Sequence, residues 1–383
     1  MKFDFSNEDF FDNHTHYLYT DKTFVTEDEF LANYFHGKKP VINGVKTLPQ
    51  GEKEHIVHQG VVLTLINYMS RYFGCEPTLD AVLAARNKAT ETPELLRKYT
   101  AGMYAEEHII GTVLDSDLPM GAPETMCFPC TTLRLYQYEK PLLALIRSEA
   151  SYDDMHDLLL EKIRKARAEG FIGLKGHVGE RFSFDLSECS PCDAREAFAK
   201  AKEDDKEAFR KVYMAVFSDI LELCGELDMP VHLHTGTSGF GKYTAVYGHD
   251  PVLMVPFLYN PKYAKTQFVL LHAGYPFVRN LALMAFNLPN VYMDMSQALP
   301  WWSMSIPVIF EDVLAVAPHD KILLGTGQQF YSETACISAK TAKSSLAWVM
   351  EKLSGIGLIS PEQALSSARM ILSGNAKRLY HLD

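Results

Sequence analysis

Short apolar runs recur along the chain at residues 10–16, 108–115, 133–139, 171–177, 230–236, 267–274, 290–296 and 321–327, and a helical or loop segment follows each of them. Such runs, bounded by turn residues, read as buried strands, and their alternation with helical segments is the βαβ pattern of a parallel sheet. Eight of them predict an α/β fold of the (β/α)8 kind, the TIM barrel, in which side chains fill the inside and reactive groups stand at the C-terminal ends of the strands. The polar residues of these runs are indeed concentrated at their ends.

The interval from Tyr17 to about Ala101 breaks the alternation. It contains no strand-like run, but residues 61–72 and 79–86 have helical spacing, so a helical insertion after strand one is expected. Loops at that end of a barrel build lids and pocket walls. The insertion is therefore expected to cover the barrel mouth, with Tyr68, Tyr72 and Phe73 either facing substrate or packing a helix pair. Residues 193–227 form a second helical region, whose charged run at 200–206 reads as a solvated face. Residues 361–380 read as a last amphipathic helix, opened by Ser360 as N-cap and Pro361 at the first position. With all eight runs used by one sheet, residues 1–383 are expected to form a single domain.

Composition narrows the partners. A formal net charge of −11 and the absence of a long basic run disfavour nucleic acid and acidic membrane surfaces. The N-terminus has no apolar signal region and no stretch reaches roughly 18 apolar residues, so a cytoplasmic protein with a small-molecule substrate is expected, and a homo-oligomer is left open. Seven cysteines without dense spacing suggest reduced thiols. Cys127/Cys130 and Cys189/Cys192 have CxxC spacing, which would suit a four-thiolate zinc site if the two loops met; turn chemistry is the plainer reading.

Chemistry is concentrated in histidines. Strand one ends Asp12-Asn13-His14-Thr15-His16, and strand alternation places His14 and His16 on one side with Asp12. Strand five carries His232 and His234, and strand six ends on His272. Imidazoles converging on one face suit zinc or another first-row divalent metal better than they suit core packing. Strand four adds Lys175, and a lysine in that position needs an anionic partner, a lowered pKa or covalent modification.

The segments DNHTH at 12–16, GFIGLKGH at 170–177, PVHLHTG at 230–236, FVLLHAGYPFVRN at 268–280, NVYMDMS at 290–296 and GNAKRLY at 374–380 together resemble the amidohydrolase superfamily. The resemblance is to the amidohydrolase-related branch that includes the nodulin-like domain joined to some glutamine synthetases. It implies a metal-dependent hydrolase with one or two divalent ions, Zn2+ by preference, bound by His14, His16, Lys175, His234 and His272. In some members the lysine at the strand-four position is carbamylated and bridges two metals.

One departure changes the expected chemistry. Strand eight of the family normally ends in an aspartate that binds metal and takes a proton from the attacking water, whereas this chain reads Leu324-Gly325-Thr326-Gly327-Gln328-Gln329-Phe330, with Gly327 at the expected position. Asp294, Glu333 or the metal-bound hydroxide alone would have to cover its task, and His177, Arg181, His232 and Arg279 are the substrate-binding candidates. The leading expectation is hydrolysis of an amide, ester or lactone by metal-activated water. A metal-dependent decarboxylase or other lyase, which dispenses with a hydrolytic base, and a non-catalytic metal- or ligand-binding barrel are the alternatives.

Overall fold

The computed structural model describes residues 2–35, 41–42, 45–122, 127–203, 205–236 and 246–382. Eight parallel strands share one sheet in the order β1 to β8: β1 Phe10–Thr15, β2 Ile109–Asp115, β3 Thr131–Gln137, β4 Gly173–Gly176, β5 Val231–Leu233, β6 Phe268–Leu270, β7 Val291–Asp294 and β8 Ile322–Leu323. Helices or helical turns separate successive strands except β2 and β3, between which no helix lies among the described residues, and this is the expected (β/α)8 class. Most strands stop short of the apolar runs that predict them. The reason is local: after β6 the backbone turns through His272 and Ala273 at φ 68° and 56°, and after β5 it turns at Gly236 with φ 68°, and left-handed residues cannot continue a strand.

The chain divides into two compact units, each built from non-contiguous segments. The first comprises Met1–Leu114, Gly121–Thr132 and Asp294–Asp383. Within it β1 runs parallel to β2, with Asp12 opposite Thr112 and Thr15 opposite Leu114. Three steps on β1 thus answer two on β2, so a bulge lies between Asp12 and Thr15 and breaks the strict alternation expected there. All six residues of β1 are buried, and His16 lies one position beyond its end.

Among its described residues the insertion holds four helices of at least two turns: Glu27–Tyr34, Gly60–Phe73, Leu79–Ala89 and Pro93–Glu106. Hydrophobic spacing marks only the second and third. The others are marked by their starts: Thr26 and Glu29 close a capping box, and Thr92 caps a helix whose first residue is Pro93. The insertion is not free of strands, since Val41–Ile42 pairs antiparallel with Val45–Lys46; residues 36–40 and 43–44 lie outside the described ones. Tyr72 and Phe73 each pack against the Tyr99 ring at 5.8 Å, and Tyr68 donates to Glu107 at 3.3 Å, so these three aromatics join helix to helix. The C-terminal segment is three pieces, not one helix: Pro361–Arg369, a π-helical turn Met370–Gly374 and Asn375–Leu379.

The second unit comprises Asp115–Met120 and Leu133–Met293. Its strands are in continuous parallel register, with Gln137 opposite Lys175, Lys175 opposite His232 and His232 opposite Val269. Gly173 is required by close approach, because a Cβ there would lie 2.5 Å from the Pro230 carbonyl oxygen. The region 193–227 is two helices, Pro191–Lys202 and Lys206–Leu227, the second capped by Asp205. Within the charged run Lys200, Glu203, Asp205 and Lys206 are exposed, as a solvated face requires; residue 204 lies outside the described ones. Among the described residues the cysteines of both CxxC pairs form no disulfide. Among the described residues no helix is long and apolar enough to cross a membrane.

Candidate active site

In the first unit the end of β1 is a dense polar cluster in a buried setting. Asp12, Asn13, His14 and Asp294 are each fully buried, and the His14 and His16 rings meet edge to face at 5.2 Å. Asp12 accepts from the Thr326 amide at 2.8 Å, the Thr326 hydroxyl at 2.7 Å and the His14 amide at 3.3 Å. Burial outweighs these bonds and, with the nearby Asp294 charge, pushes the Asp12 carboxyl up to about 7. Asp294 accepts from Asn13 Nδ2 at 2.9 Å and from the Ser296 amide at 2.8 Å. Gly325 permits this packing: a Cβ there would stand 2.9 Å from Asp294 Oδ2 and 3.0 Å from the His14 nitrogen.

Gly327 has φ 58°, and an added Cβ would lie 2.7 Å from both Cγ and the backbone nitrogen of Gln297. The position cannot hold an aspartate in its present conformation. Glu333 is fully buried, and its Oε1 receives Arg86 Nε at 3.0 Å and the Tyr99 hydroxyl at 3.1 Å. Its carboxylate is committed to the helical insertion.

In the second unit Lys175 is fully buried and has the anionic partner that its position demands: Nζ lies 3.4 Å from Asp115 Oδ2 and 2.8 Å from His177 Nε2. Gln137 Nε2 donates to the other Asp115 oxygen at 2.6 Å. Behind His177 sits Glu139, which accepts from the His177 amide at 3.1 Å, faces His177 Nδ1 at 3.1 Å, and receives Arg181 Nε at 3.2 Å and the Tyr213 hydroxyl at 2.7 Å. Burial pushes the Glu139 carboxyl up, but the His177 hydrogen bond and charge, Arg181 and Tyr213 outweigh it and hold it at about 2. Arg181 is therefore part of a built ion pair.

The strand-five and strand-six histidines lie in the same unit. His232 is fully buried, and burial, reinforced by the Lys175 charge, lowers its pKa to about 3. Burial lowers His234 well below the ordinary histidine range, followed by the nearby His272 and Lys175 charges. Both rings are thus held neutral, the form that ligates metal. His234 Nδ1 and His272 Nε2 are 2.9 Å apart, and His234 Nε2 is 3.8 Å from Glu180 Oε1. Arg279 stands exposed on helix Val278–Asn287.

The histidine pattern did not announce Asp115, Glu139, Glu180, Tyr213 or Thr326. Asp115 carried a usable signal, a carboxylate as the last residue of a strand-like run. Glu139 and Glu180 had none, because their roles come from neighbours 38 and 54 positions away in Glu139–His177 and Glu180–His234.

The model of the amidohydrolase family matches residues 150–382 of this chain. The chain is 32% identical over 123 residues to Protein fluG of Emericella nidulans, a match that takes in 32% of this chain and 14% of that protein's length. Among solved structures it is similar to a Lactobacillus casei protein assigned as a metal-dependent hydrolase, with TM-score 0.83 and 18% identity over 100% of this chain and 98% of the other. It is also similar to uronate isomerase from Thermotoga maritima, with TM-score 0.70 and 13% identity over 98% and 95% of the two chains. At these identities the structural likenesses speak for the fold.

Proposed function

Since this chain belongs to the amidohydrolase family, we propose that it is a metal-dependent hydrolase that cleaves a C–N or C–O bond, in an amide, ester or lactone, of a small polar substrate. One observation carries the reading: the end of β1 brings two imidazoles, His14 and His16, together in a unit that also buries two carboxyls, Asp12 and Asp294.

The donor chemistry fits a divalent ion. His14 and His16 are the pair assigned to hold it, and nitrogen donors suit zinc. When bound, such an ion polarises a carbonyl and lowers the pKa of coordinated water toward about 7.

The chain's own residues supply the remainder. Asp294, fixed by Asn13 and Ser296, is the group assigned to take up a proton at its carboxylate in place of the missing strand-eight aspartate. Asp12 holds the loop after β8 through both Thr326 bonds and so keeps that wall in place. Glu333 is assigned no part in the chemistry, because Arg86 and Tyr99 occupy it. In the second unit Lys175 offers a buried positive charge to an anionic substrate group, with Asp115 as its resting partner.

The test is product analysis on a panel of N-acyl amino acids, simple esters and lactones, with metal content measured on the same preparations. Asp294→Asn should keep its ion and lose about 10²–10⁴-fold in kcat. Turnover that releases carbon dioxide, or moves a carbonyl without taking up water, would replace the hydrolase by a lyase or an isomerase. Full activity in Asp294→Asn would remove that residue from the chemistry.

A further inference from the structure

Two adjoining hollows open in the first unit beside the segment that leads into β1, and the hydrolase reading gives them no role. We propose that the first hollow, walled by Lys343, Lys340 and Lys2, binds the carboxylate or phosphate head of a small organic anion, whose body extends into the second. This goes beyond the hydrolase reading and does not require it.

Lys343 lacks a counter-ion. It is 3% exposed, and its Nζ donates to the Glu107 carbonyl at 2.7 Å and to the Ser6 carbonyl at 3.0 Å. An ammonium has three donors, and here two are met by neutral carbonyls, with no carboxylate within ion-pair distance among the described residues. A buried charge of this kind is costly, and burial accordingly lowers the Lys343 pKa, with the Glu107 charge opposing. Ser6 and Glu107 both line the first hollow, so the ammonium stands at its wall. An anion placed there supplies the missing partner.

The shape and lining are independent of that bond count. The hollows have volumes of about 490 and 510 Å³ and share Lys340 and Ser344, which is more room than a bare ion fills. Phe3 and Phe5, with rings stacked at 5.8 Å, give the first an apolar wall, and Tyr72 and Ile337 do the same for the second. Apolar walls with a few convergent polar groups are the usual make-up of a small-molecule site. The acidic groups nearby are already engaged: Glu107 Oε1 receives the Tyr68 hydroxyl at 3.3 Å and faces Lys340 Nζ at 3.5 Å, and Asp4 Oδ1 accepts from the Ser6 amide at 2.9 Å. Glu106 lines the second hollow and is exposed, so it opposes a second negative charge and favours a ligand with one head group.

The test is calorimetric titration of full-length, chelator-stripped protein with benzoate, phenyl phosphate and inorganic phosphate, at neutral pH and fixed ionic strength. Benzoate or phenyl phosphate should bind at one equivalent per chain, and the tighter of the two identifies the head group. Inorganic phosphate, which has no organic body, should bind more weakly than phenyl phosphate. Lys343→Met and Lys340→Ala should each weaken binding by about 10–100-fold, as expected for the loss of a charged hydrogen-bond donor. Because Lys343 also ties Ser6 to Glu107, Lys340→Ala, whose side chain is 46% exposed, decides the matter if Lys343→Met fails to fold. His14→Ala/His16→Ala should bind as wild type. No binding of either organic anion, or binding unchanged in Lys340→Ala, would overturn the site. Binding that disappears in His14→Ala/His16→Ala would assign the anion to the histidine pair and overturn it as well, and none of these outcomes bears on turnover of amides, esters or lactones.

Discussion

Arg86 and Glu333 stand 247 positions apart and form an ion pair at 3.0 Å, with side chains 2% and 0% exposed. Arg86 also reaches the Thr90 hydroxyl at 3.2 Å, and Tyr99 donates to the same glutamate oxygen at 3.1 Å. The pair ties a helix of the insertion to the first turn of helix Ser332–Gly355, within one unit.

Removing one partner of such a pair leaves a buried charge uncompensated, at a cost of about 3–5 kcal/mol. Arg86→Met should lower unfolding stability by about that amount. Glu333→Gln should also destabilise the protein, yet keep the turnover of the remaining folded molecules. Denaturant unfolding alongside activity per folded molecule separates the two effects. A stable Glu333→Gln protein with no turnover would return that glutamate to the chemistry.

Putting the family's aspartate back at position 327 should fail. Gly327→Asp meets a left-handed backbone and a Gln297 contact at 2.7 Å, so about 1–3 kcal/mol of stability should be lost with no gain in metal affinity. Gly51 also has a left-handed backbone, at φ 83°, but a Cβ added there would meet nothing within 4 Å. Gly51→Ala therefore isolates the backbone effect and should cost less. Equal losses at the two positions would mean that the Gln297 contact does not matter.

Glu139 makes the acid limb of stability testable. Its carboxyl is held at about 2 in the fold, below the ordinary 4.5, so the folded state favours the ionised form. The sign follows: its contribution is complete above about pH 4.5 and is lost as pH falls toward 2. Glu139→Gln should therefore lower stability at neutral pH and flatten the dependence between those limits. Parallel curves for the two proteins, measured by urea unfolding across that range, would remove Glu139 from the acid response.

Metal removal offers a fourth check. His14→Ala/His16→Ala should lose the ion assigned to that pair and keep its far-ultraviolet dichroism, since strand ends at the catalytic face matter less to folding than the core layers. Loss of the cooperative transition together with the metal would make that ion structural.

Much of the fold was legible because strand periodicity and turn residues are local signals. The eight runs marked all eight strands, although β5 and β6 proved to be three residues each. Their histidine-bearing ends leave the sheet through positive φ at His272 and Gly236, and hydrophobicity cannot register that. The histidines themselves stood out by spacing. What stood behind them did not: Glu139 orients His177, and Asp115 neutralises Lys175, only because β2, β3 and β4 bring distant residues side by side. The strand-eight glycine was visible as a departure, while its Gln297 contact was visible only in three dimensions.

The bulge in β1 bears on how sequences of this kind are aligned and engineered. Between Asp12 and Thr15 the strand carries one residue more than its neighbour, so counting odd and even positions fails to report which way a side chain faces beyond it. Transplanting Asp12–His16 into a scaffold with a regular first strand would change how the segment beyond Asp12 is aimed, and a pairwise alignment that closes the extra residue with a gap would match residues that face differently. The motif is portable only together with the irregularity that aims it.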